Sequence, residues 1–218
     1  MLWSIVVGAG AGSRLGGEPK QFRDLGGTSV IARAVRAVAV ASDAVVVVAD
    51  PDAAGRAGVA VGVDKVVAVV PGGAERSDSV AAGLDHVPAG VDVVAVHDAA
   101  RPLASPALVD RCVSALTEGV DGVVPALAVV DTVKEVDAGG VVVRTLDRDR
   151  LVAVQTPQVF RAAALRAAHA RRHGGGTDDA SLVEAAGGKV VVVAGEPGNA
   201  KLTRIEDFDA ALGALDEN

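Results

Sequence analysis

Aromatic side chains are almost absent: the 218 residues include three Phe, one Trp and no Tyr. Half of the chain is hydrophobic all the same, so a large core has to be built from Val, Ala and Leu. Val-rich runs favour buried strands and Ala-rich runs favour helices. Cysteine occurs once, as Cys112, which excludes an intrachain disulfide. It stands among Leu108, Val109, Val113 and Leu116 at helical spacing and reads as a buried helix residue. No apolar run approaches the roughly 20 residues a membrane helix requires. The start, Met-Leu-Trp-Ser-Ile-Val-Val, has no basic segment before its apolar residues and runs straight into glycines. It reads as a first strand and not as a signal peptide. The expectation is a cytoplasmic protein without a membrane partner. Basic residues are in deficit, with a formal charge of −7. That argues against a nucleic-acid binder, although a local basic pocket for a phosphorylated ligand is compatible with it.

What is present is an alternation of Val-rich and Ala-rich segments. Strands are expected at 2–7, 44–49, 65–70, 91–96, 122–125 and 189–193. Helices are expected at 30–40, 77–86, 106–118, 161–171, 179–186 and 206–215. Continuous apolar strands imply burial on both faces, as in a mostly parallel twisted α/β sheet with helices on both sides. Residues 1–218 are expected to form a single domain. Residues 129–151 break the rhythm. Mixed segments flank Asp137-Ala138-Gly139-Gly140, a hairpin signature read as a projecting arm. Ligands in such sheets sit beyond the C-terminal ends of strands, so the informative loops follow Val7, Val70 and Val96.

The first of these loops runs from Gly8 to Gln21. Small residues such as Ala9, Gly10 and Gly12 let the backbone approach a nucleotide, and peptide N–H groups can bind phosphate. Arg14 and Lys20 add two cations, suited to a polyphosphate that gains charge during transfer. A dinucleotide site expects an acid about 20 residues past the glycines; here the second strand ends only near Asp50. No Gly-Lys-Ser/Thr follows, which excludes a P-loop. The second loop, Gly72 to Val80, offers backbone freedom at Gly73 and hydrogen-bonding groups at Arg76 and Ser79. Ser77 and Asp78 could also simply open a helix. The third is His97-Asp98-Ala99-Ala100-Arg101-Pro102. Asp98 can hold Mg²⁺ or orient a hydroxyl, and Arg101 can pair with it or bind phosphate. His97 reads as a packing residue.

In order along the chain, Gly10-x-Gly12-x-Arg14, Pro19-Lys20-Gln21, Gly72-Gly73-x-x-Arg76-x-x-Ser79-Val80 and His97 to Pro102 resemble the signatures of the 2-C-methyl-D-erythritol 4-phosphate cytidylyltransferase family. Asp131 to Lys134, Asp147-Arg148, Thr156-Pro157-Gln158, Thr177 to Ser181 and Asn199 to Thr203 extend the likeness over nearly the whole chain. The resemblance implies a nucleotide-diphosphosugar-transferase-like fold and a non-mevalonate isoprenoid enzyme. Such an enzyme uses CTP, Mg²⁺ and a small polyol phosphate, and works as a homodimer through the arm. It also implies that Arg14 and Lys20 stabilise the transition state, while Arg148 and Lys201 position the acceptor phosphate. Asp98, Arg101, Thr132, Thr156 and Thr177 would line the acceptor pocket. Gly73 and Ser79 would bind cytidine. The chain departs from the family at Gly8, at Ala74, where an acid is common, and at Ala200. Two other readings are a ribitol-5-phosphate cytidylyltransferase and, from a different class, a dinucleotide-binding oxidoreductase.

Overall fold

The computed structural model describes residues 1–10, 19–59, 62–171 and 177–216. Its strands are β1 (Leu2–Val7), β2 (Ala44–Val48), β3 (Val66–Val70), β4 (Val93–Asp98), β5 (Gly122–Ala128), β6 (Lys134–Val136), β7 (Val142–Thr145), β8 (Val152–Val154), β9 (Gln158–Arg161) and β10 (Val190–Ala194). The helices are α1 (Val30–Ala39), α2 (Pro51–Arg56), α3 (Arg76–Leu84), α4 (Pro106–Ala115), α5 (Ala162–Ala170), α6 (Asp179–Ala185) and α7 (Ile205–Asp216). All six expected strands and all six expected helices are present, with ends shifted by a few residues. Short α2 and strands β8 and β9 are additions.

Strands β10-β5-β9-β4-β1-β2-β3 lie side by side in one sheet, and β8 pairs with β5. The pairs of β1 with β2 and β4, of β2 with β3 and of β5 with β10 are parallel. Strand β9 is antiparallel to both of its neighbours, β4 and β5. Its presence follows from the route of the chain. After β5 the chain leaves the sheet as the arm and comes back without a crossover helix, so it can only return antiparallel. Strands β8 and β9 are two halves of that return, broken at Gln155-Thr156-Pro157. The β6–β7 hairpin forms a separate two-stranded sheet. Its turn is closed by Asp137, whose Oδ1 accepts from the N–H groups of Gly139 and Val141.

Strand alternation sends successive side chains to opposite faces. On one face Val6, Val45, Val47, Ala95 and Val159 meet Ile31, Val35 and Val38 of α1 and Val109 and Cys112 of α4. On the other, Ile5, Val46, Val48, Val94, Val96 and Phe160 meet α3, α5 and α6 through Val80, Leu84, Leu165 and Val183. Helix α7 packs on a smaller cluster of Leu25, Val30 and Leu202. Ser29 caps α1 and Ser105 caps α4 through side-chain oxygens. Among the described residues no helix is long and apolar enough to cross a membrane.

Cys112 is fully buried, as its helical spacing predicts, and burial pushes its thiol up to about 12. Cys112→Ala should keep its activity and lose stability on the order of 1 kcal/mol from packing. Iodoacetamide should label the folded protein far more slowly than the denatured chain; equal rates would contradict this burial.

Candidate active site

The C-terminal ends of β1, β3 and β4 face one cavity of about 600 Å³. Its wall is made by Val7 to Gly10, by Gly73 to Arg76 with Ser79, and by Asp98 to Ala100, joined by Lys20, Gln21, Lys201 and Thr203. The loops after β1 and β3 touch. A Cβ on Gly72 would overlap the Ala9 methyl and lie 2.7 Å from Ser79 Oγ, so this approach requires glycine. Ser79 Oγ accepts from the Gly73 N–H and donates to the Glu75 carbonyl, both at 3.2 Å. Buried Gln21 holds the start of the first loop, its Nε2 donating to the carbonyls of Gly8 (2.7 Å) and Gly10 (2.8 Å).

Asp98 ends β4. Its Oδ1 lies 3.2 Å from Arg76 Nε, and its Oδ2 lies 2.7 Å from Lys201 Nζ. Burial pushes the carboxyl up, but Arg76 and Lys201 outweigh it and hold Asp98 well below the usual carboxylate range. Arg76 reaches a second carboxylate, with Nη1 2.6 Å from Asp179 Oδ2. Burial lowers the Arg76 pKa, and the two acids more than offset it, so the net direction is up. Lys20 Nζ donates to the carbonyl of Leu202 at 2.7 Å, the residue next to Lys201. Leu202 is itself anchored, through its N–H on the Ala100 carbonyl and its side chain under α7. The Thr203 and Arg204 N–H groups then bond Asp207, which lowers that carboxyl. Two lysines from opposite ends of the sequence thus converge on one edge of the cavity.

His97 is fully buried, and burial pushes it down to about 4. Its Nε2 lies 2.9 Å from the Arg101 carbonyl. Its Nδ1 lies 3.1 Å from Thr156 Oγ1, which accepts the Asp98 N–H. A neutral imidazole satisfies both contacts, as expected of a packing histidine.

Of the residues singled out from sequence, Ala9, Gly10, Lys20, Gly73, Ser79, Asp98 and Lys201 line the cavity. Thr156 stands directly behind it, on the Asp98 backbone. Gly12 and Arg14 lie outside the described residues. The Arg101 backbone N–H donates to the Asp98 carbonyl at 3.0 Å, but its side chain does not pair with the Asp98 carboxylate. Its guanidinium turns away to the carbonyls of Asn199 (2.7 Å) and Val154 (3.5 Å), while Arg76 and Lys201 occupy the acid. Thr132 and Arg148 are exposed on the arm and do not line the cavity, and Arg148 Nη1 bonds the Val130 carbonyl at 2.6 Å. Thr177 is exposed ahead of α6. No local pattern announces the Arg76–Asp179 pair, which spans 103 positions, or the two Gln21 bonds.

Comparison with known proteins identifies the family. The family model for 2-C-methyl-D-erythritol 4-phosphate cytidylyltransferase matches residues 2–217. A protein of that name from Frankia casuarinae is 47% identical, over 97% of this chain and 80% of its own length. Another from Rhodococcus jostii is 44% identical, over 98% of this chain and 95% of its own. The crystal structure of 4-diphosphocytidyl-2C-methyl-D-erythritol synthase from Anaerococcus prevotii superposes with a TM-score of 0.86. It is 28% identical and covers 99% of this chain and 98% of its own. With its two lysines and paired glycine loops on the predicted sheet, the chain belongs to the 2-C-methyl-D-erythritol 4-phosphate cytidylyltransferase family.

Proposed function

We propose that the protein transfers the cytidylyl group of CTP to 2-C-methyl-D-erythritol 4-phosphate, giving the diphosphocytidyl product and pyrophosphate. The observation that carries this reading is the convergence of Lys20 and Lys201 beside the two touching glycine loops. An acceptor phosphate oxygen attacks the α-phosphorus of CTP in line. One P–O bond forms and the bond to the β-phosphate breaks, so pyrophosphate leaves. A phosphate monoester has its second pKa near 6 and is already an anion at neutral pH, so no general base is needed. Neutral His97, with both nitrogens engaged, is consistent with that. The protein's contribution is alignment and charge. In this reading Lys20 and Arg14 stabilise the charge that develops on the phosphates of CTP, and Lys201 binds the acceptor phosphate. Gly8 to Gly10, Gly73 and Ser79 line the part of the cavity that this reading assigns to cytidine.

Mg²⁺ belongs to the proposal as a companion of CTP. That ion is commonly held by one or two carboxylates plus substrate phosphates. Asp98 is a cavity carboxylate able to serve, although both its oxygens already face cations. Among the described residues no group of three or more His, Cys, Asp or Glu comes together. The phosphates of CTP would supply most of the ligands. A CTP-dependent reaction also suits the cytoplasm, where the nucleotide is made.

The arm, residues 129–151, completes the reading as a dimerisation element. Val136, Val141, Val142 and Val143 are each more than half exposed, between 53% and 65%, and an isolated hairpin is marginal in water. Thr132 and Arg148 ride on this arm away from the cavity of their own chain. That supports a site completed by the partner subunit's arm in a homodimer.

Pyrophosphate release with four nucleotides, against methylerythritol phosphate and ribitol phosphate, tests the reaction. CTP with methylerythritol phosphate should dominate, and equal turnover with ATP or GTP would sink the assignment. Lys20→Ala should lower kcat by on the order of 10²–10³ with little change in acceptor KM; near-normal kcat would remove Lys20 from the transition state. Mixing Arg148→Ala with Lys201→Ala subunits should restore activity, because some mixed dimers regain one intact site. No recovery despite proven subunit exchange would refute the shared site.

A further inference from the structure

The geometry points to Arg76 and Asp179 as positioning residues for the acceptor side of the site: Asp179 fixes the Arg76 guanidinium, and Arg76 holds Asp98 so that Lys201 keeps its charge for the acceptor phosphate. This rests on the reaction proposed above. Charges alternate along a chain of four side chains. Asp179 meets Arg76 at 2.6 Å, Arg76 meets Asp98 at 3.2 Å, and Asp98 meets Lys201 at 2.7 Å. The chain starts deep in the protein and ends at the cavity. The Asp179 side chain is 1% exposed, that of Asp98 12%, and that of Lys201 43%. Asp179 is itself held by His169, whose Nε2 lies 3.0 Å from Asp179 Oδ1.

The fork of Arg76 makes the arrangement possible. A planar guanidinium can bond two carboxylates in fixed directions, whereas a lysine ammonium is a point charge. The fork joins the first residue of α3 to the last of β4 and the first of α6. It therefore sets which way the Asp98 carboxylate faces. Without Arg76, both anionic oxygens of a buried acid would turn on Lys201, and a dianionic acceptor would meet an ammonium already neutralised. With Arg76 in place, Asp98 divides its charge between two cations. Because Arg76 is itself engaged by two acids, it is a poor ligand for the nucleotide even though it lines the cavity.

Asp179 is too buried to touch a substrate, so Asp179→Asn isolates the effect. The variant should raise acceptor KM roughly tenfold and lower kcat, with the KM for CTP within about twofold of wild type. Arg76→Lys should show the same split and not rescue, since one ammonium reaches one carboxylate. It also serves if Asp179→Asn does not fold. Adding Asp179→Asn to Arg76→Gln should cost little more than Arg76→Gln alone. A merely structural role predicts equal losses for both substrates and additive effects. A crystal structure of the substrate-free variant gives a reading independent of turnover. Asp98 should lose its 3.2 Å and 2.7 Å contact pattern. An unmoved Asp98, or an unchanged acceptor KM in a folded variant, overturns the proposal. Absence of turnover in the wild-type enzyme overturns the proposed reaction alone, and the crystal structure then decides the positioning role.

Discussion

A carboxylate buried at the end of a central strand needs partners, and meeting that need for Asp98 organises the site. Breaking a buried ion pair by removing one member typically costs about 3–5 kcal/mol, against about 0–1 kcal/mol for a surface pair. The Arg76 contact belongs nearer the first class, with the two side chains 28% and 12% exposed. The Lys201 contact belongs nearer the second, because water reaches the lysine. Arg76 is therefore the more buried partner of Asp98, and Lys201 the more solvent-exposed one. Each partner brings its own segment with it. Arg76 fixes the start of α3, and Lys201 fixes the loop that also carries Leu202 and the bond to Lys20.

The antiparallel return of the chain through β8 and β9 supports the same acid from behind. The strand breaks where β5 stops pairing with β9 and starts pairing with β8. The break frees Thr156 to accept the Asp98 N–H and to face His97. One residue earlier, Gln155 uses its amide on the Glu196 N–H (3.0 Å) and carbonyl (2.9 Å). Asn199 donates to the Thr156 carbonyl at 2.8 Å. The lysine-bearing loop is thus tied to the strand that follows the arm.

Elements built from long one-faced or two-faced apolar patterns were legible in the sequence, because burial on the sheet dictates those patterns. Leu2–Val7 and Val30–Ala39 are the clearest cases. The pieces that escaped are short. Val152–Val154 and Gln158–Arg161 have three and four residues around a proline, too few for a period to register. Pro51–Arg56 contains Gly55, a poor helix former, and is held by the Asp50 cap and by packing. Within the site, legibility followed sequence distance. Glycines and cations clustered in one loop announce themselves. The proximity of Asp98 and Arg101 suggested a pair, but the turn after β4 sends Arg101 to the Asn199 carbonyl. The pairing of Arg76 with Asp179 depends on how α3 and α6 are placed over the sheet, and no local pattern encodes it.

A chain of net charge −7 that binds two anions looks contradictory until range is considered. At physiological ionic strength charges are screened over about 8 Å, so the acidic exterior contributes little inside the cavity. There the balance is local: among the described lining residues, Lys20, Arg76 and Lys201 stand against Glu75 and Asp98. What matters further is that these cations are already aimed. Lys20 is held by a carbonyl, Lys201 by Asp98 and Arg76 by two acids, so the orientation of these charges is settled in the folded chain. Preoriented charge costs little reorganisation at the moment of transfer. The acids that dilute the positive charge of the cavity are also what hold it in place, since Asp98 and Asp179 fix Arg76 and Asp98 fixes Lys201.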